Sequence, residues 1–332
     1  MKFLVIGYGS IGKRHARNIK FLGHEVILLR HSRDTINKDG FDEYYSYEEV
    51  LKSVDSIDGA IVCSPTSCHL NDVNILVDNN IPFLLEKPPT VDYQSYLEMV
   101  KFFKQREFSR YDIGFNLRFC PALKFIKEYL PNLGHIYASR VSAGYYLPDW
   151  RENVDYRTTN SARKELGGGV HIELIHEIDY IIWFFGLPEK VFGYTNRISI
   201  LEISTEDICV AVFQYGNGSV VELHLDYLSQ KNLRGCQIIA EHGTMEWDFI
   251  EGKVKLFVKG QKIPEELLSL DEDYDFNETY IEELENFIGV VNRKKSKNIN
   301  IQDAVDSMKV LEAIKLSSRE GRVINLLETF GG

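Results

Sequence analysis

The first fifteen residues contain a glycine motif between a strand-like and a helix-like segment, and this constrains the fold more than any other feature. The motif is G-x-G-x-x-G, formed by Gly7, Gly9 and Gly12. Residues 2–6 before it are an apolar run, and the apolar residues after it have helical spacing. A strand, a phosphate-binding turn and a helix in this order are typical of a dinucleotide-binding unit.

Each glycine has a separate role in such a turn. Gly7 permits the tight turn, Gly9 lets the backbone approach a pyrophosphate, and Gly12 lets the helix pack closely on the strand. The first helical residues, Ser10 and Ile11, then offer the helix N-terminus to the anion. A chance glycine-rich loop is the alternative, and the position of the motif between strand and helix argues against it.

The second strand ends without the acidic residue that favours NAD. After the apolar segment Glu25–Leu29 the chain continues with Arg30, Ser32 and Arg33. Two guanidinium groups flanking a hydroxyl suit the 2′-phosphate of NADP, because arginine pairs bidentately with phosphate. The sequence predicts NADP(H) as the preferred cofactor with NAD(H) as the alternative, and a solvated basic turn is the competing interpretation.

Composition excludes several classes of protein. The 332 residues are 44% hydrophobic, which is enough for two domains. The net charge of −11 argues against a nucleic-acid partner. No signal sequence opens the chain and no apolar stretch approaches membrane length, so we expect no membrane partner. Five cysteines without metal-type spacing fit a reducing compartment and predict no metal site, and we expect a cytoplasmic protein.

Two domains are predicted, residues 1–118 and 119–332. In the first, apolar runs alternate with helical patterns, which predicts a doubly wound parallel Rossmann sheet. The second is predicted to be an α+β domain with a large open, mainly antiparallel sheet. The predicted strands are 2–7, 25–29, 59–64, 82–87 and 111–116, then 135–147, 190–198, 207–215, 219–228, 236–241 and 253–258.

One face of the second sheet is expected to be uncovered and partly apolar. Its residues are Val210, Val212, Val221 and Leu223, which alternate with their neighbours. An exposed apolar face of this kind usually has a partner. We therefore expect a homodimer or homotetramer.

Polar residues follow two of the predicted parallel strands, at the edge where open α/β sheets bind ligands. The third strand continues into a segment that contains Ser64, Pro65, Thr66 and His69. The fourth runs into Glu86 and Lys87, so Lys87 would emerge at the edge of the crevice. A charged residue that merely ends a strand is the competing interpretation.

The second domain carries a glycine run followed by a helical pattern with titratable residues. Glu173, His176, Asp179 and Tyr180 are spaced to share one helix face. The order H-x-E-x-x-H differs from that of a zinc protease, which argues against a metal site. A hydrogen-bonded structural histidine remains the alternative for His176.

With these motifs the chain resembles the Gfo/Idh/MocA family of sugar and polyol oxidoreductases over essentially its whole length. The matching segments are GYGSIG, SPTSCH, EKP at residues 86–88, NLRFCP at residues 116–121 and GGGVHIELIHEIDY at residues 167–180. The resemblance implies catalysis by Lys87 and His176, and a substrate-binding second domain. Many members carry the helix acid four residues before the histidine, whereas Glu173 stands three before His176.

The oxidation of a sugar carbinol requires a base for the hydroxyl proton and stabilisation of the developing alkoxide. His176 is assigned as general base or acid, and Lys87 as the alkoxide-stabilising group and possible proton relay, with the two roles exchangeable.

Further candidates for substrate binding are Arg118, Tyr146, Trp150 and Arg157. Aromatic rings suit sugar faces and arginines suit anionic groups, although nearby acids make a salt-bridged loop an equal alternative. The segment YLPDWR resembles family members of surface-polysaccharide pathways, which favours an amino-sugar, nonulosonate or nucleotide-sugar substrate. A non-sugar carbonyl or imine reductase and a non-catalytic dinucleotide sensor remain as other function classes.

Overall fold

A six-stranded parallel sheet forms the first of two compact units. The structure is a computed structural model that describes residues 1–31, 36–294 and 301–331, without the side chains of residues 301 and 302. The first unit comprises Met1–Asn116 and Phe276–Ala304, and the second comprises Leu117–Asp275 and Val305–Gly332.

The strands of the first sheet are ordered β3-β2-β1-β4-β5-β6, and all paired neighbours are parallel. Strands β1 and β4–β6 are buried along almost their whole length, as expected for a sheet covered on both faces. The predicted Rossmann fold is confirmed. Its elements are β1 (Lys2–Ile6), α1 (Ser10–Phe21), β2 (Glu25–Leu29), β3 (Asp42–Tyr44), α2 (Tyr47–Ser53), β4 (Gly59–Val62), α3 (His69–Asp78), β5 (Phe83–Glu86), α4 (Tyr93–Gln105) and β6 (Tyr111–Gly114).

A late helix also belongs to the first unit, so the structure differs from the predicted division into 1–118 and 119–332. This helix, α8 (Glu278–Val291), follows the second sheet in the sequence. Its Leu284 and Phe287 are fully buried in the same apolar cluster as Phe3 of β1. The packing of these side chains, which sequence position does not reveal, returns the helix to the Rossmann sheet.

The second unit contains a nine-stranded sheet with the order β14-β13-β12-β11-β7-β10-β9-β8-β15. Strands β7 and β10 pair in parallel and all other neighbours are antiparallel, which confirms the predicted mainly antiparallel sheet. The remaining elements are α5 (Pro121–Tyr129), β7 (Ile136–Gly144), α6 (Val170–Glu173), α7 (Ile175–Phe185), β8 (Lys190–Asn196), β9 (Ile208–Gln214), β10 (Val220–Asp226), β11 (Leu233–Ala240), β12 (Gly243–Asp248), β13 (Lys253–Phe257), β14 (Glu265–Ser269), α9 (Ile301–Glu320), β15 (Ile324–Asn325) and α10 (Leu326–Phe330).

The predicted apolar outer face of this sheet is only half correct. Val210 and Val212 are each 38% exposed, but Val221 and Leu223 are buried. In the register of β9 and β10, Val212 lies opposite Glu222 and Val210 opposite His224, so Val221 and Leu223 point to the inner face. The exposed face gains Phe192 instead.

In the described residues no helix is both long and apolar enough to cross a membrane. All five cysteines are free thiols.

Candidate active site

The glycine turn after β1 has the geometry that the motif predicts. Gly7 has a positive φ of 89°, and its amide donates to the carbonyl of Leu29 (2.9 Å). A Cβ atom on Gly12 would lie 2.1 Å from the carbonyl oxygen of Gly7, so only glycine permits this close packing. A Cβ atom on Gly9 would meet open space, and Gly9 is the N-cap of α1. The turn therefore leaves room for an anion at the N-terminus of α1, where Ser10 and Ile11 begin the helix.

Three predicted segments emerge at one edge of the first sheet. Strands β1, β4 and β5 are adjacent and parallel, with Ile6 beside Val62 and Val62 beside Leu85. The glycine turn follows β1 and the segment from Ser64 comes after β4, while Glu86 ends β5 and Lys87 follows it directly. Because carboxyl ends of parallel strands meet at one edge, the structure brings these candidates together.

Asp72, which the sequence analysis missed, fixes the segment after β4. The hydroxyl of Ser64 donates to one oxygen of Asp72 (2.5 Å), and the hydroxyl of Tyr47 donates to the other (2.7 Å). Pro65 and Thr66 begin the short 3-10 turn that leads to α3. Asp72 lies inside α3, where the sequence offers no sign that its side chain turns towards the strand end.

His69 links this segment to the one after β5. Its two ring nitrogens each lie 3.0 Å from a carbonyl oxygen, Nε2 from Ser64 and Nδ1 from Pro88. Burial lowers the pKa of His69, and a neutral imidazole can donate to only one of the two carbonyls. His69 thus contacts the backbone of both segments, the one that follows β4 and the one that follows β5.

Arg30 at the end of β2 is paired with a carboxylate that the sequence analysis did not anticipate. Its guanidinium is 4% exposed and donates to Glu43 of β3 (2.7 Å). It also packs 5.6 Å from the ring centre of Tyr8. Burial and a hydrogen bond to Asp39 raise the pKa of Tyr8 to about 12. Ser32 and Arg33 lie outside the described residues.

Glu86 and Lys87 differ in environment although they are adjacent. Glu86 is buried and bonds to His15 of α1, with Oε1 2.7 Å from Nε2. Its other oxygen accepts the backbone N–H of Lys87 (3.2 Å). Lys87 itself is half-buried, and the Lys87–Pro88 peptide is cis. The Glu86 carboxylate is thus hydrogen-bonded both to the backbone of Lys87 and to α1, the helix that follows the glycine turn.

The predicted single helix around His176 is wrong. Residues Val170–Glu173 form α6, the backbone breaks at Leu174 with φ −99° and ψ 33°, and α7 then starts at Ile175. Glu173 and His176 therefore belong to different helices and do not share one continuous face. Glu173 is half-buried, and after burial its charge is the largest cause that raises the pKa of Tyr227.

Helix α7 is held by two buried ion pairs. Asp179 forms a bidentate pair with Arg118, at 2.9 and 2.8 Å. Glu177 pairs with Arg234 of β11 at 2.8 Å. Arg118, predicted to bind substrate, thus has a structural contact, and Arg234 was missed because it is distant in sequence. His176 precedes Glu177 on α7 and is buried.

His171 is the second histidine of the motif and has a different environment. It is buried on α6, with Nδ1 3.3 Å from the hydroxyl of Thr195. Burial, together with the charges of Lys315 and Lys164, lowers the pKa of His171 to about 3. Neutral His171 therefore cannot titrate near pH 7.

The aromatic loop after β7 forms a small cleft within the second unit. Trp150 stacks on Tyr145 with ring centres 5.7 Å apart. Tyr146, the residue after Tyr145, is half-buried. The cleft is lined by Leu147, Trp150, Arg151, Val154, Tyr156, Thr159 and Ser161. Arg157 is exposed and bound to Asp155 and Glu202, both at 2.9 Å, which is the salt-bridged arrangement considered as the alternative.

Known proteins share both the sequence pattern and the fold. Residues 1–110 match the Gfo/Idh/MocA profile for "Oxidoreductase family, NAD-binding Rossmann fold", and residues 131–326 match the "Oxidoreductase family, C-terminal alpha/beta domain". The myo-inositol 2-dehydrogenase of Thermotoga maritima is 23% identical, with all of both chains covered. A D-xylose 1-dehydrogenase (NADP(+)) of Haloferax volcanii is 20% identical, over 98% of this chain and 100% of that one.

Two solved structures have the same fold. The WlbA dehydrogenase of Bordetella pertussis, in complex with NADH and UDP-GlcNAcA, has a TM-score of 0.81 at 19% identity, over 98% of each chain. An oxidoreductase of Agrobacterium radiobacter in complex with NAD⁺ has a TM-score of 0.83 at 14% identity, over 99% of each chain.

The Rossmann sheet, its glycine turn and the matching profile define an NAD-binding oxidoreductase. The chain belongs to the Gfo/Idh/MocA family, whose two domain profiles cover most of its length.

Proposed function

We propose that this protein transfers a hydride between nicotinamide and a hydroxyl-bearing carbon of a sugar or sugar derivative. The observation that carries the proposal is the position of Lys87. It follows β5 at the same sheet edge where the glycine turn follows β1, and open α/β sheets bind their ligands at that edge. A dinucleotide sensor would not require an amine there.

Lys87 and His176 supply the proton chemistry in this proposal. Loss of hydride from a carbinol leaves a carbonyl only if the hydroxyl proton is also removed, so a base and a cation must meet the hydroxyl. We assign the cation to Lys87 and the base to His176, and the family resemblance supports both assignments. Glu173, on a separate helix, is assigned a part in substrate binding and catalysis next to His176.

NADP(H) is the proposed cofactor preference, with Arg33 as its main determinant. Glu43 neutralises much of the charge of Arg30. A 2′-phosphate would therefore depend on Arg33 and Ser32 more than on Arg30. The Haloferax volcanii relative is named as NADP-dependent, whereas the Bordetella pertussis structure contains NADH.

The substrate class we propose is a sugar with an anionic group, such as an amino-sugar, nonulosonate or nucleotide-sugar. The stacked Trp150 and Tyr145 support a ring-binding surface. The Bordetella pertussis structure holds UDP-GlcNAcA, which is a sugar of this class. A non-sugar carbonyl reductase would use the same first unit with another pocket.

A substrate panel tests the proposal directly. Reduced nicotinamide would be followed by absorbance with myo-inositol, D-xylose, glucose 6-phosphate and UDP-GlcNAcA, each with NADP⁺ and with NAD⁺. We expect turnover with a charged or nucleotide-linked sugar that exceeds turnover with the neutral ones. Turnover restricted to non-sugar carbonyl compounds, or cofactor binding without turnover on any compound of either kind, would contradict the proposal.

We also propose that copies of the chain associate through the outer face of the second sheet. Val210, Val212 and Phe192 are between 38% and 49% exposed on neighbouring strands β8 and β9. Light scattering should show a dimer or tetramer that Val212→Glu weakens. A monomeric parent protein at micromolar concentration would contradict this.

A further inference from the structure

Three titratable side chains from distant parts of the sequence meet in the interior of the first unit. They are His15 of α1, Glu86 of β5 and Glu283 of α8, and one nitrogen or oxygen atom of each lies within 4.8 Å of the others. All three residues are buried, with at most 6% of the surface of any of them exposed. The cluster thus connects the dinucleotide helix, the strand that precedes Lys87 and the helix that returns to this unit.

The hydrogen bonds of the cluster are uneven. Glu86 bonds to His15 and to the backbone of Lys87, as described above. Among the described residues, neither carboxyl oxygen of Glu283 has a hydrogen-bond partner, and neither has Nδ1 of His15. A buried carboxylate without partners would be costly, whereas a neutral carboxylic acid costs far less and can donate a proton.

The groups that face Glu283 make its ionisation still less favourable. His15 comes from α1, Glu86 from β5, Asp112 from β6, and the buried thiol of Cys63 from the end of β4. Burial, followed by the charges of Glu86 and Asp112, holds the pKa of Glu283 well above its usual range. Two carboxylates in one dry space cannot both ionise readily, so one of them retains its proton.

We propose that Glu283 is a positioning residue for Lys87, an uncharged carboxylic acid that supports Glu86 and, through it, the backbone of Lys87. Glu86 remains the anion because it has the two donors, His15 and the Lys87 amide. Glu283 places an uncharged polar side chain within 4.8 Å of the Glu86 carboxylate, so that no second negative charge opposes it. Gly114 of β6 leaves the room for Glu86, since a Cβ atom there would lie 3.3 Å from the Glu86 carboxyl carbon.

This inference rests on the proposed role of Lys87 for its functional meaning, but its tests need no turnover. The first test compares thermal unfolding of the parent, Glu283→Gln and Glu285→Gln between pH 5 and pH 8. Glutamine mimics the protonated acid. Glu285 lies two residues away on the same helix and is exposed, so its variant is the matched control.

The sign of the expected shift follows from proton linkage. A carboxyl group that keeps its proton in the folded state, but loses it in the unfolded state, makes the parent less stable as the pH rises above about 4.3. Relative to the parent, Glu283→Gln should therefore gain several degrees in Tm as the pH rises from 5 to 8. Glu285→Gln should follow the parent at every pH.

Two results would contradict the claim that Glu283 is an uncharged acid in the folded protein. One is a Tm difference between Glu283→Gln and the parent that falls or stays constant as the pH rises. The other is a divalent metal ion that copurifies in stoichiometric amount with the parent and is absent from Glu283→Gln.

The second test reports on Lys87 itself. Brief acetylation with acetic anhydride, followed by peptide mass spectrometry, measures the reactivity of Lys87 against the exposed Lys101 as internal reference. Glu283→Leu, which keeps the volume but removes the polar atoms, should change the labelling of Lys87 several-fold. Glu283→Gln should restore the parental rate, and Glu285→Leu should leave it unchanged.

Equal labelling of Lys87 in the parent and in Glu283→Leu would refute the positioning role, even if the pH test succeeds. Because neither test uses a sugar, inactivity towards every sugar would contradict the proposed function and leave this inference standing. Likewise, failure of both tests would refute the role of Glu283 and leave the proposed sugar oxidoreductase activity standing.

Discussion

The buried charges around α7 in the second unit are paired, whereas the buried cluster of His15, Glu86 and Glu283 in the first unit contains more acids than bases. Around α7, Arg118 pairs with Asp179 and Arg234 pairs with Glu177. In the first unit, His15 is the base that contacts the acid Glu86, beside Glu283. Arginine–carboxylate pairs can remain charged when buried, because each charge has its partner. Where buried carboxyl groups outnumber the bases, one of them keeps its proton in the folded state.

The largest expected effect comes from breaking a pair in the second unit. Arg118→Leu would leave Asp179 as a buried charge without its cation, which should cost about 3–5 kcal/mol of unfolding free energy. Urea unfolding measures this loss. The double variant Arg118→Leu/Asp179→Leu should recover most of it, and a double variant as unstable as the single one would show that the pair is not what supports α7.

A smaller effect is expected to distinguish Arg30 from Arg33 in the basic segment after β2. Arg33→Ala should weaken NADPH binding relative to NADH by about 1.5–3 kcal/mol, the value of a charge-assisted hydrogen bond. Arg30→Ala should change this preference less, because Glu43 already binds that guanidinium. Fluorescence titration at two salt concentrations would measure both, and the preference should weaken with salt.

The cofactor prediction fails if the parent binds NADH as tightly as NADPH. It also fails if Arg30→Ala changes the preference more than Arg33→Ala. In either case the basic segment after β2 would be a solvated turn and not a phosphate-binding site.

The smallest effect is expected at an exposed ion pair. Arg157 is bound to Asp155 and Glu202 at the surface, and exposed pairs add little stability. Arg157→Ala should leave Tm unchanged. If Arg157 binds the anionic part of the substrate, the same variant should raise KM without altering kcat, and unchanged KM would remove Arg157 from the site.

The sequence predicted well where chemistry is encoded locally. The turn at Gly7, Gly9 and Gly12 is formed by neighbouring residues. The start of α2 is equally local, since the Ser46 side chain accepts from the amide of Glu49 three residues later (3.1 Å). The predicted strands of the first sheet agree with the observed ones to within two residues at each end.

It failed where a contact joins distant segments. Nothing near Glu283 in sequence indicates that its helix packs on β1 and β6, and nothing near Arg234 indicates a pair with Glu177. The helix break at Leu174 was also not predicted, because the helical spacing of the side chains continues across Leu174 although the backbone there is not helical. Short strands such as β3 and β15 have too few residues to show a period.

The central claim is that hydride transfer takes place at the carboxyl edge of the first sheet and requires the amine of Lys87. The most direct measurement is steady-state turnover of Lys87→Met with the best substrate of the panel, alongside its NADPH affinity. The account predicts a loss of about 10²-fold or more in kcat with cofactor affinity retained. Near-parental kcat in Lys87→Met would contradict it.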